Sequence, residues 1–245
     1  MKRLFFCTMT SVLISAGALH AQSMKVVYQE QLKMPDMTAE LGDDPAIAAA
    51  VAAQLGKMNT AKTMALYYNN GASLYEELKS LSDAQQGFEN SSTVQIRYMG
   101  GGGCRYKDLK KKESISQEYI MDKSFLITEP LQSEWQLSAG EKKVGKYMCK
   151  KAVNSNSVTA WYCPDIPVGD GPGLYHGLPG LILEIEEPSN TIVMQSIEFT
   201  DTVKDKIRPP KTGKKANRDE FNRLRTQKME EQGLQKGNGI SIIKM

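Results

Sequence analysis

Apolar and polar positions alternate with period two over much of the chain. In Leu181–Glu186, Leu181, Leu183 and Ile185 alternate with Ile182, Glu184 and Glu186, which predicts a strand wet on one face. Lys25–Leu32 is rich in β-branched and aromatic residues and reads as a first strand. Thr63–Leu78 splits at Asn70-Gly71, a pair that tolerates the positive φ of a two-residue hairpin turn. Further strand-like runs are Thr93–Met99, Cys104–Tyr106, Glu113–Met121, Phe125–Thr128, Glu134–Ser138, Val144–Val153, Val158–Cys163 and Thr191–Phe199. Ser80–Ser92 is polar, Lys110–Lys112 reads as a solvated turn, and Pro188-Ser189-Asn190 marks another. About ten strands on short turns predict a mainly β fold: a single antiparallel sheet, strongly curved or closed into a half-barrel.

Two segments carry helical signals instead. Asp44-Pro45 opens an Ala-rich run, Ala46–Leu55, that ends at Gly56, and Asp43 or Asp44 suits its N-cap. Asn217–Gln232 holds good helix formers, with Phe221, Leu224 and Met229 at near-helical spacing, as in an amphipathic helix lying on a sheet.

The first residues change the picture of where the chain resides. Met1-Lys2-Arg3 precedes an apolar stretch to Ala18, followed by small residues through Ala21. This pattern predicts a secretory signal peptide, residues 1–21, cleaved near Ala21, and a periplasmic or secreted protein. An antiparallel β domain over residues 22–203 and a basic C-terminal helix and tail over 204–245 follow. Without Lys2 and Arg3, 29 basic residues face 28 acidic ones, so the near-neutral balance gives no reason to expect nucleic acid. That balance conceals an asymmetry: Glu30–Ser92 carries nine acids and four bases, Lys204–Met245 twelve bases and five acids. No apolar run is long enough for a transmembrane helix. The four glycines Gly100–Gly103 lack the Lys-Ser/Thr of a phosphate-binding loop and read as a turn.

Three cysteines lie beyond the leader: Cys104, Cys149 and Cys163. In an oxidising compartment they suggest one disulfide and one leftover thiol. Cys149 and Cys163 flank the turn Asn154–Ser157. Opposed residues of an antiparallel pair share a face, so facing sulfurs require 149 opposite 163, 154 opposite 158, and a three-residue loop, Ser155–Ser157. Links from Cys104 to either of the other two compete with this pairing.

Ala160–Glu186 is the segment richest in Pro and Gly. Four prolines fix φ there and five glycines permit unusual angles, which suits an ordered loop crossing between strands. His176-Gly177-Leu178-Pro179-Gly180-Leu181-Ile182 contains GLPGLI intact. With AWYCPDIPVGDGPGLY before it and Gly145–Ala152 further upstream, the chain resembles the GLPGLI family of Bacteroidota exported proteins, sharply over Trp135–Phe199 and more loosely over the Thr63–Leu78 hairpin. The resemblance implies export and leaves the activity open, since that family is one of unknown function. It is compatible with a curved sheet of the periplasmic lipoprotein-carrier kind.

The same region supplies the candidate binding residues: Trp135, Trp161, Tyr162, Asp165, Asp170, Tyr175, His176, Leu178 and Pro179. The aromatic residues offer stacking faces or core packing. Asp165, Asp170 and His176 offer acid–base or ligand groups, but their spacing matches no recognised metal pattern, and no metal, cofactor or catalytic residue is expected. Glu184 and Glu186 share a strand face. Asp201-Thr202-Val203 resembles a short O-glycosylation site of exported Bacteroidota proteins. Three functional expectations follow. The first is a non-enzymatic envelope protein whose sheet binds or carries an apolar ligand or partner segment, with the GLPGLI loop at its rim or buttressing it. The second is an adaptor of an outer-membrane protein system, docking through its basic tail. The third is a hydrolase or metal-binding protein using the 164–180 loop.

Overall fold

The computed structural model of the protein describes residues 23–33, 61–78 and 103–231. The expected signal peptide, the Ala-rich helix, the Thr93–Met99 strand, Gly100–Gly102 and the last tail residues lie outside them. Twelve strands form one sheet: β1 (Met24–Leu32), β2 (Ala61–Asn69), β3 (Ala72–Glu77), β4 (Cys104–Asp108), β5 (Glu113–Ile120), β6 (Lys123–Pro130), β7 (Gln136–Val144), β8 (Tyr147–Val153), β9 (Thr159–Cys163), β10 (Leu181–Glu186), β11 (Asn190–Phe199) and β12 (Lys214–Ala216). Their spatial order is β12-β6-β5-β4-β3-β2-β1-β11-β10-β9-β8-β7. Every pairing is antiparallel except that of β12 with β6. The sheet is open, with β12 and β7 at its two edges, and curved, as the alternation predicts.

Local sequence explains the turns. Asn70 and Gly71 take positive φ, 48° and 85°, and join β2 to β3 with Asn69 opposite Ala72. Lys110–Lys112 lies in the turn between β4 and β5. Between Leu137 and Val144 the structure differs from the expected break. The chain stays in one strand by inserting a bulge between Ser138 and Glu141, with Gly140 at φ 140°.

Register shows which face is which. Ile197, Val26, Leu66, Tyr75, Arg105, Ser116 and Ile127 are successive cross-strand partners from β11 to β6. They therefore share the inner face of the sheet. Met24, Tyr68, Ser73, Lys107, Ser114 and Glu129 form the next such row. Both rows begin apolar; the first turns polar at β4 and the second at β3. The outer face carries a smaller cluster, Ala65, Tyr67 and Leu74, closed by Val203. Val203 belongs to a 3₁₀ turn (Asp201–Lys206) capped by Thr200.

Two segments fill the inner face. Over β1–β2 and β8–β11 lies the loop 164–180, whose Ile166, Val168 and Leu178 join the main core. Over β5–β6 lies helix α1 (Arg218–Glu231), whose Phe221 packs edge-on against Phe125, with ring centroids 5.5 Å apart. Asn217 caps α1 by accepting the Glu220 backbone N–H.

Two sequence expectations are corrected. Leu181–Ile185 is buried on both faces rather than wet on one. The loop covers the inside, while on the outside Lys142 reaches across from β7 to Glu184 (2.6 Å) and Glu186 (3.1 Å). The expected disulfide is absent, because Cys149 and Cys163 are both free thiols. The register is nonetheless the one such a disulfide requires: Lys150 opposes Tyr162 and Val153 opposes Thr159, so Cys149 stands opposite Cys163 and the loop is Ser155–Ser157. Both side chains are fully buried, and burial pushes the Cys149 thiol up to about 12, which suppresses the thiolate that oxidation requires.

Candidate functional site

The loop 164–180 is built as an irregular hairpin. The Gly177 N–H donates to the Gly169 carbonyl, the Leu181 N–H to Ile166, and the Ile182 N–H to Asp170, while Asp170 bridges His176. Each position of the GLPGLI motif has a physical role. Gly177 sits at φ 88°, a region that L side chains rarely adopt. Leu178 enters the core and Pro179 stays exposed. Gly180 passes so close to β9 that a Cβ would stand 2.2 Å from the Cys163 carbonyl oxygen. Leu181 and Ile182 then begin β10 as fully buried residues.

One ion pair pins this loop to the far side of the sheet. Lys107 on β4 points inward and meets Asp170 Oδ1 at 2.5 Å, and both side chains are fully buried. The same ammonium donates to the Gly171 carbonyl at 2.7 Å and the Tyr175 carbonyl at 3.3 Å. Its three protons thus have three acceptors, which is what a buried cation needs. Burial pulls the Lys107 pKa down, against the upward pull of Asp170. Asp170 Oδ1 also accepts the Gly171 N–H. The His176 Nδ1–H donates to the Leu174 carbonyl at 2.8 Å. Burial lowers the His176 pKa; the Leu174 carbonyl opposes that shift, Lys107 adds to it and Asp170 opposes it.

At one end of the half-barrel the inner face opens into a cleft of ≈ 790 Å³. The loop tip forms one wall, where Trp135 and Tyr175 stand with ring centroids 5.9 Å apart at 51°. The Trp135 indole N–H donates to the His176 carbonyl at 2.8 Å and so fixes the pair to the loop. The Tyr175 hydroxyl donates a short bond to Glu187, and the Tyr75 hydroxyl donates to Glu30 at 2.7 Å. The opposite wall is the start of α1, where Arg218 grips Glu118 and Glu129 and Arg105 shares Glu118. Burial pushes the Glu118 carboxyl up, but Arg218, Arg105 and Ser116 together take it below its ordinary range.

The predicted residues divide. Trp135, Tyr175 and His176 line the cleft. Asp170 and His176 are brought together, but Asp170 is sealed in its ion pair with Lys107. Asp165 is exposed in the turn after β9, and no hydrogen bond or ion pair joins it to Asp170 or His176 among the described residues. Tyr162 and Leu178 are core, and Pro179 is exposed. Trp161 faces outward, donating to Glu186 at 3.0 Å beneath Lys142 and Lys151. No metal-holding group of three or more His, Cys, Asp or Glu forms among the described residues. Glu30, Tyr75, Arg105, Glu118, Glu187 and Arg218 were not anticipated. Only Glu30 had a signal, because it continues the inward parity of Val26 and Tyr28.

Comparison with known proteins gives a local match and a fold. A family model described as "Protein of unknown function (Porph_ging)" matches residues 153–184, from the end of β8 through β9 and the loop into β10. No curated protein matches the chain. Among solved structures, one described as "Structure of PNGF-II in P21 space group" is similar at 16% identity and a TM-score of 0.54, over 85% of this chain and 34% of that one. The chain thus spans about a third of that protein, and at this identity the likeness speaks for the β fold alone.

Proposed function

We propose that the protein is an exported, non-enzymatic binding protein of the GLPGLI kind, and that its binding locus is the mouth of the half-barrel. The occupant is a partner's polypeptide segment rather than an acyl chain. The observation that carries this reading is the filling of the inner face. The loop 164–180 and α1 occupy the space where an apolar cargo would lie. The remaining recess mixes an aromatic pair with carboxylates, amides and hydroxyls. Such a lining suits a segment with its own polar groups. The pinned Lys107–Asp170 pair argues against acid–base work by Asp170, since that carboxylate faces a lysine and not the cleft. The first turn of the basic tail is also engaged internally through Arg218 and Phe221, which weakens docking through that part of it.

The test is native mass spectrometry of the protein purified from its own envelope, with a photo-crosslinking residue at Gln132 on the cleft rim or at exposed Met148 as control. A polypeptide adduct at Gln132 and none at Met148 is expected. A bound lipid mass, or equal crosslinking at the two positions, would overturn the reading.

A further inference from the structure

The charges of the mouth do not balance. Its guanidinium groups, Arg105 and Arg218, are engaged by Glu118 and Glu129 at 2.6 to 3.1 Å, with Arg105 Nη1 left without a hydrogen-bond partner. The other carboxylates in its lining, Glu30, Glu134 and Glu187, form no ion pair among the described residues. Glu30 is half-buried in the wall, and burial raises its pKa. The Tyr75 hydroxyl and Lys62 pull it back, and Glu187 and Glu77 add to the rise. A half-buried carboxylate with no ion pair in contact is costly, and an incoming cation relieves that cost.

The aromatic pair stands at the same rim. Tyr175 gives its hydroxyl to Glu187 and its ring to Trp135, so a carboxylate and two π systems converge there. Ring faces attract an ammonium or guanidinium more readily than a strongly hydrated metal ion, which seeks several converging oxygens.

We propose that the mouth selects a basic segment, taking a Lys or Arg side chain between the Trp135–Tyr175 pair and the carboxylates of Glu30 and Glu187. This rests on the binding reading above and assigns the chemistry of its occupant.

The chain has two tryptophans, so Trp161→Phe leaves Trp135 as the single indole reporter. This protein is titrated with three short peptides of one sequence that carry Lys, Gln or Glu at the same positions. The Lys peptide is expected to shift Trp135 emission and to bind about tenfold tighter than the Gln peptide, the size of a partly desolvated cation contact. Its affinity falls as salt rises, and the Glu peptide binds weakest. Glu187→Gln weakens the Lys peptide several-fold and leaves the Gln peptide unchanged. Glu30→Gln, at the other carboxylate of the contact, repeats the measurement should Glu187→Gln fail to fold. Equal affinity for the Lys and Gln peptides would overturn the cation selection while the binding reading stands. Failure of all three peptides overturns this proposal, and the envelope crosslinking then decides the binding reading separately.

Discussion

Loop 164–180 and helix α1 cover the same face of one sheet by opposite means. The loop contributes apolar side chains to the main core and a single ion pair, Lys107–Asp170, with both side chains at 0% exposure. The helix contributes one fully buried residue, Phe221, and a network in which Arg218 is 28% exposed and its partners 14% and 22%. The loop's pair is shielded from solvent and salt, so its charges must be met by protein atoms. The helix network remains within reach of water. A segment rich in Pro and Gly is thereby held harder than a regular helix.

The largest expected effect is at the buried pair. Lys107→Met removes the one cation in ion-pair contact with Asp170 among the described residues and is expected to cost about 3–5 kcal/mol in urea unfolding. The double variant Lys107→Met/Asp170→Leu removes both charges and is expected to recover most of that loss. Arg218→Ala is expected to cost only about 1–2 kcal/mol, because Arg105 still serves Glu118 and water reaches Glu129. A Lys107→Met cost no greater than that of Arg218→Ala would break the comparison.

Salt sharpens it at a smaller scale. Raising ionic strength toward about 1 M shortens the screening length to about 3 Å. The cost of Arg218→Ala is expected to shrink under these conditions, while that of Lys107→Met stays the same. Parallel urea titrations at low and high salt measure both. Equal shrinkage would mean that solvent enters the loop anchor.

Much of this architecture is legible in the sequence. Period-two alternation is a local signal, and it located most strands. Asn70-Gly71 fixed a hairpin through φ alone, whereas the β8–β9 register was inferred only from a disulfide that does not form. The anchors were not legible, for a physical reason. In β4, Arg105 and Lys107 alternate with Cys104 and Tyr106, and polarity argues that the charged pair faces water. The structure turns that pair inward because Asp170, distant in sequence, and Glu118, on the neighbouring strand β5, supply counter-charges there. The same blindness applies to Glu184, which looked solvated until Lys142 arrived from β7. Trp135 was singled out as an aromatic, and Tyr175 and His176 as members of the Pro/Gly-rich loop. The rest of the mouth comes from several strands whose convergence no local window contains.

The finest distinction between the two anchors is their response to acid. His176, the only histidine among the described residues, lies against the loop anchor with Lys107 and Asp170 nearby, and its pKa is lowered chiefly by burial. The unfolded chain therefore takes up a proton on this imidazole at a higher pH than the folded one. Stability is full above the ordinary imidazole range near 6.5 and falls as pH drops through it toward the depressed value. Glu118 shifts in the other sense. Its folded pKa lies below that of the unfolded chain, so its contribution is full above the carboxylate range near 4.3 and is lost only as pH falls through the lower folded value. A plot of urea midpoint against pH should thus fall in two steps, the loop's first and the helix's second. His176→Gln is expected to flatten the first step and leave the second, while Arg218→Ala blunts the second and leaves the first. A first step that survives in His176→Gln would show that the loop's grip on the sheet does not depend on a neutral imidazole.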